Sequence, residues 1–186
     1  VSIDTSKPEV MRAAVAAGAG LINDVLALRA PGALATAAAL GVPVCLMHMQ
    51  GEPRTMQRDP VYTDVVGEVR EFLKNRRTAA IAAGIRPEQI LIDPGFGFGK
   101  TAAHNLALLR DLSALCALGA PLLAGLSRKS LIGALLGLPV EERLHASVAL
   151  ALIAVQNGAA IVRVHDVRAT REAIRMYEAV YPRSAA

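Results

Sequence analysis

Hydrophobic positions along the chain fall into two alternating kinds of segment. Short runs rich in β-branched residues or leucine, "VSID", "GLIND", "PVCLMH", "QILIDPG", "PLLAGLS" and "AIVRVHD", each lead into polar or charged residues. Between them lie alanine- and leucine-rich stretches such as "KPEVMRAAVAAGA" and "APGALATAAALG", with helical spacing, a proline near the start and a glycine near the end. Nearly continuous apolar strands are expected where helices cover a parallel sheet. The βαβα alternation therefore predicts the α/β class. Strand centres at Ile3, Ile22, Leu46, Ile92, Ala124 and Val164 are separated on average by about 32 residues, the size of one βα repeat.

Two architectures fit this pattern, an open doubly wound sheet and a (β/α)8 TIM barrel. In both, function collects at the carboxyl ends of the strands. Polar residues stand at all six ends: Asp4, Asn23, His48, Asp93, Ser127 with Arg128 and Lys129, and Arg163 with His165. An open sheet would concentrate chemistry near one switch point, so the even spread favours a barrel with a single mouth. A full barrel takes about 250 residues, and Val1 opens inside a strand-like run. The expectation is one domain over 1–186, six parallel strands of a barrel without about its first two βα units.

Composition narrows the functional classes. With 186 residues, 53% of them hydrophobic, the chain can bury one sizeable core. The net charge of +4 comes from scattered arginines, with no basic run or interleaved aromatics, which argues against nucleic-acid binding. No run of about 18 apolar residues predicts a membrane span. Cys45 and Cys116 sit in apolar sequence and read as free thiols in a reducing, cytoplasmic setting.

The stretch "DPGFGFGKT" (93–101) resembles a phosphate loop but fails as one. A P-loop ending at Gly99, Lys100 and Thr101 requires glycine at position 94, which is Pro94, and a dinucleotide fingerprint from Gly95 and Gly97 places its third glycine on Lys100. What remains is an acid, Asp93, at the end of an apolar strand and ahead of a glycine-rich turn, with Lys100 and Thr101 beginning the next segment. Asp4 and Asp93, with Asn23, can pair with the ring N–H and amino groups of a flat heterocycle. Asp4, ahead of "TSKPE", equally reads as a helix N-cap. Glycoside hydrolysis is disfavoured because only 3% of residues are aromatic.

In "GLSRKS", Lys129 can contact a heterocycle carbonyl or stay solvated, while Ser127 and Ser130 can cap the next helix. In "RVHDV", Arg163 and His165 are two apart on a strand and share a face. Facing inward, they suit an anion such as phosphate, with Asp166 outward as a helix cap. The histidines at 48, 104, 145 and 165 lack metal-ligand spacing. A magnesium ion held by a substrate phosphate would leave little trace. The polar loop "MQGEPRTMQRDPVYTD" lies over the mouth, as a substrate lid or as decoration.

Taken in order, "IDTSKPEV", "INDV", "CLMHMQGEPRTMQ", "LIDPGFGFGK", "GLSRKSLIG" and "RVHDV" resemble the dihydropteroate synthase family from Val1 to the end of the chain. The resemblance implies a TIM barrel that joins para-aminobenzoate to 6-hydroxymethyl-7,8-dihydropterin pyrophosphate, giving 7,8-dihydropteroate and pyrophosphate for folate synthesis. It implies a pterin pocket of Asp4, Asn23, Asp93 and Lys129, with Met47, Phe98 and Gly125 as walls. Asp4, Asp93 and Lys129 become the catalytic candidates. Arg163 and His165 match the pyrophosphate-binding positions, and Ser130 with Phe98 borders the para-aminobenzoate site. Magnesium accompanies the pyrophosphate, the late helices form a homodimer, and sulfonamides are inhibitors of the family. The family's "NVTPDSFSDGG" and "GGESTRP" loops, which help bind the metal and para-aminobenzoate, have no counterpart in this chain. A pterin-binding methyltransferase barrel or a non-catalytic pterin-binding remnant are the alternatives.

Overall fold

The computed structural model describes residues 1–52 and 55–182. Pro53 and Arg54 of the predicted mouth loop lie outside the described residues. Among the described residues six strands are present: β1 (Ser2–Asp4), β2 (Leu21–Asp24), β3 (Val44–Met47), β4 (Ile90–Asp93), β5 (Leu123–Ala124) and β6 (Ile161–Val162). All pairings are parallel, with β1 to β4 in chain order and β5 beside β6. A parallel bridge, Ile92 to Leu122, joins the two groups.

The helices follow from local sequence. After β1, α1 (Pro8–Ala16) begins with proline at its first turn, where a missing N–H costs nothing. After β2, α2 (Ala33–Leu40) is built almost wholly of alanine and leucine. After β3, α3 (Val65–Ala82) starts at Asp64, whose carboxylate accepts a hydrogen bond from Gly67 N at 3.1 Å. After β4 come α4 (Ala102–Arg110) and α5 (Leu112–Cys116), with a reciprocal cap between Thr101 and His104. Thr101 thus opens the next segment as expected. After β5 come α6 (Ser130–Leu136) and α7 (Leu144–Gln156), and after β6 comes α8 (Val167–Val180).

Strands in unbroken chain order, all joined by crossovers of one hand, place the helices on one side of the sheet. Such a sheet must curl to bury its other face. Arg163, just past β6, donates to Asn23 on β2 at 3.2 Å. In a flat sheet those strands would stand about 19 Å apart at the usual spacing, so the contact requires a curved wall. This is the barrel architecture, with six of its strands described.

Two apolar clusters fill the space between sheet and helices. One gathers Val69, Leu73, Ile92, Phe96, Leu108, Leu112, Leu115 and Leu126, and the other Met11, Ile22, Leu28, Val44, Leu46 and Ile90. The strands are shorter at the far end of the arc than the apolar runs suggest. β6 stops at Val162, so Arg163 and His165 lie beyond the strand rather than on it. No helix among the described residues is long and apolar enough to cross a membrane.

Candidate functional site

The strand ends converge on a buried acid. Asp93 closes β4 with 1% exposure. Its Oδ1 accepts from Gly95 N at 2.7 Å, and its Oδ2 accepts from Arg163 Nη2 at 3.0 Å. A buried carboxylate is tolerable only with such partners. Asn23 Oδ1 takes a second bond from Arg163, while Asn23 Nδ2 is buried without a partner among the described residues. A buried donor left open beside a carboxylate offers complementary partners to a polar ligand.

The sequence candidates divide according to their surroundings. Asp4 stands opposite Asn23 in the β1–β2 register and is exposed. It is not a helix cap, because α1 starts at Pro8 with no side-chain cap. Met47 lies opposite Asp93 in register and is buried, forming part of the wall. Gly125 leaves room for Arg163, since a Cβ there would sit 3.1 Å from Nη2. Lys129 Nζ donates to the Phe96 carbonyl and lies 4.4 Å from the centre of the Phe98 ring. Burial pulls Lys129 down to about 8, with Asp93 opposing that shift and Arg163 adding to it.

Gly125, Ser127, Lys129, Arg163, Val164 and His165 line a cavity of about 170 Å³. Its donors are cationic or hydroxyl, a set suited to an anion. Ser127 does not cap α6. Its hydroxyl instead bonds His165 Nδ1 at 2.9 Å and accepts from His165 N at 3.2 Å. Ser130 is exposed in the first turn of α6, outside this lining, and does not cap the helix either. Asp166, expected as a cap for α8, makes no capping bond. It instead accepts from Arg128 Nε at 3.1 Å and Nη2 at 2.7 Å. The fork ties the loop after β5 to the loop after β6.

Several positioning residues escaped the sequence reading. Lys100 is no mere start of the next segment: it is 3% exposed, and its Nζ meets His48 Nδ1 at 2.9 Å and the Gly95 and Phe98 carbonyls at 3.0 Å each. Asp24, fully buried, accepts from Leu26 N and Leu28 N at 2.8 Å each and from the Ser6 hydroxyl. These bonds hold Ala27 and Leu28 at φ of 51° and 58°, strain beside the mouth. Arg128, at φ 56°, is held by Ser147 Oγ on its N–H and Arg143 Nη1 on its carbonyl. Lys100 offered no short-range signal of its burial. Asp24 pairs with N–H groups two and four positions on, a local turn pattern that was available, whereas Arg143 reaches the Arg128 carbonyl across 15 positions with no local signature.

Gly95 is fixed by its surroundings. It takes φ 66°, and a Cβ there would overlap the His48 carbonyl oxygen. Gly95→Ala is expected to cost at least about 1–3 kcal/mol, read as a lowered midpoint in thermal unfolding, with loss of the Gly95 bond to Asp93. An unchanged midpoint would show that the loop has room to rearrange.

No group of three His, Cys, Asp or Glu side chains among the described residues converges as a metal site. The anion cavity is lined by Lys129 and Arg163 and, among the described residues, by no carboxylate, so the residues present do not fit a magnesium ion by themselves.

A parallel, curved α/β wall with a polar pocket at its strand ends defines a protein of the barrel class, with room at its mouth for a small polar ligand. A family profile described as pterin binding enzyme matches residues 1–165. The chain belongs to that family. It is 53% identical over 179 residues to the dihydropteroate synthase of Haemophilus influenzae, covering 96% of this chain and 65% of that relative. The chain thus spans just under two thirds of the relatives it matches, with 64% for the Escherichia coli protein. Among solved structures, the dihydropteroate synthase from Stenotrophomonas maltophilia, with imidazole bound in its active site, matches with TM-score 0.95 and 60% identity, over 99% of this chain and 70% of that one. The Xanthomonas albilineans enzyme in complex with 7,8-dihydropteroate matches with TM-score 0.92 and 56% identity, over 98% of this chain and 67% of that one.

Proposed function

We propose that this chain carries the substrate-recognition side of a dihydropteroate synthase. The reaction joins para-aminobenzoate to 6-hydroxymethyl-7,8-dihydropterin pyrophosphate. The C–O bond to pyrophosphate breaks, the amine nitrogen forms the new C–N bond, and the amine loses a proton. The observation that carries the reading is the unpartnered, buried Asn23 Nδ2 beside the buried Asp93 carboxylate. Together they offer a donor and an acceptor to the complementary edge of a pterin.

Each further residue has a role in this reading. Asp93 accepts from ring N–H and amino donors, Asn23 donates to a ring acceptor, and Lys129 donates to a ring carbonyl. Met47 and Phe98 pack against the flat faces. Arg163, His165 and Ser127 receive the diphosphate and stabilise its charge as it leaves. Asp4 and Asp93 favour the positive charge that develops on the pterin methylene. Ser130 and Phe98 border the approach of the amine. A magnesium ion would be held by the diphosphate oxygens rather than by side chains of this chain, and would supply charge neutralisation there, and a sulfonamide would compete with the amine. Pairing of late helices into a homodimer and a cytoplasmic setting complete the proposal.

The decisive experiment titrates the chain calorimetrically with 6-hydroxymethylpterin diphosphate, then adds para-aminobenzoate and follows dihydropteroate. Saturable pterin binding with product is the expected result. A folded chain that binds no pterin would sink the reading, and binding without product would favour the non-catalytic alternative.

A further inference from the structure

Lys100 is a buried lysine that the reaction above does not use. Its ammonium has three N–H donors and finds three acceptors: His48 Nδ1, Gly95 O and Phe98 O. Gly95 is also the residue whose N–H holds Asp93 Oδ1. Phe98 is the residue whose ring lies against Lys129. We propose that Lys100 is a positioning residue of the pterin site, tying the loop after β4 to the end of β3 through His48. In this arrangement it fixes both Asp93 and Phe98.

The link has an unusual tolerance to proton loss. Burial pulls Lys100 down to about 7, with Asp93 opposing that shift and Lys129 adding to it. Burial first, then Lys100 and Arg29, pulls His48 down to about 3, so its ring stays neutral. The Phe72 and Tyr62 rings pack around that imidazole. A neutral amine at Lys100 keeps two N–H groups for the two carbonyls and gains a lone pair. His48 can then move its proton to Nδ1 and donate where it had accepted. All three links survive, and the loop holds its place across neutral pH.

This proposal rests on the pterin reading, so its test has one arm that does not need the ligand. With 15N-labelled histidine in the full chain, the His48 imidazole is followed from below to above about pH 7. Nδ1 is expected bare at the acid side and proton-bearing at the basic side, and in Lys100→Met it should no longer follow pH through this range. A ring that carries its proton on Nδ1 at the acid side, facing the ammonium, or a doubly protonated ring in this range, overturns the link.

The second arm measures affinity for 6-hydroxymethylpterin by calorimetry. His48→Leu and Lys100→Met, checked for folding by thermal unfolding, are expected to bind about tenfold more weakly, the effect of one hydrogen bond. His48→Asn, whose Oδ1 stands where Nδ1 stood, should stay within about threefold. If Lys100→Met does not fold, the two His48 variants decide between them. Equal loss in His48→Asn and His48→Leu, or none in either, overturns the positioning role. An unsubstituted chain that binds no pterin overturns the reading of the site, while the imidazole titration still judges the Lys100–His48 link alone.

Discussion

Replacing Asp93 by asparagine is expected to abolish pterin binding while leaving the fold standing. The Asp93 carboxylate accepts from Gly95 N on one oxygen and Arg163 on the other. An asparagine keeps one acceptor and turns a donor toward the second partner. A ligand that had offered two N–H groups to a carboxylate then loses one charge-assisted bond and is left with a buried donor facing a donor, together about 3–6 kcal/mol, a loss of at least about a hundredfold. The fold has less at stake, because a neutral amide is cheaper to bury than a carboxylate. Calorimetric titration paired with a thermal melt separates the two effects. Affinity unchanged in a folded Asp93→Asn protein would remove Asp93 from the pocket.

The second large effect is expected at Arg163, and here stability and binding should both fall. Arg163→Met leaves the Asp93 Oδ2 and Asn23 Oδ1 atoms without their donor. Leaving a buried acceptor unsatisfied costs about 1–3 kcal/mol. The Arg163 side chain is 44% exposed, so water can reach the vacated space and holds the loss toward the low end of that range. Binding of the diphosphate substrate should suffer more than binding of the pterin alcohol, because the guanidinium is the anion's principal partner in this reading. Arg163→Lys should restore little, since an ammonium cannot span two acceptors as a planar fork does. The measurement is the ratio of affinities for the two ligands. An unchanged ratio would move the anion contacts elsewhere.

These effects sit on residues that were legible in the chain to different degrees. Asp93 and Asn23 stood out because each is a polar side chain at the end of an apolar run, and a polar group there faces a mouth whatever the details of closure. Lys129 was visible for the same reason. Ser127 and Asp166 were visible but misassigned. A serine or aspartate before a helix reads as a cap, yet both found partners across the mouth, His165 and Arg128. Lys100 was set aside because "GKT" failed as a phosphate loop, and no short-range rule places a lysine inside a core. Arg163 and His165 fell beyond the end of β6, and they still share a cavity because Ser127, Arg128 and Asp166 hold the two loops together.

Sequence alone determined the order of elements, the parallel class and the strand ends where chemistry could stand. Those properties follow from short-range periodicity, since an apolar run, a proline at a helix start and a glycine turn act over a few residues. Tertiary structure decided which of the polar ends meet. Arg163 reaches Asp93 across 70 positions and Asn23 across 140, distances closed only by curvature of the strand wall. Burial then decided what each group does. A lysine that would be solvated on a surface becomes, at 3% exposure, a three-way tie within the site, because an enclosed ammonium must find an acceptor for every proton.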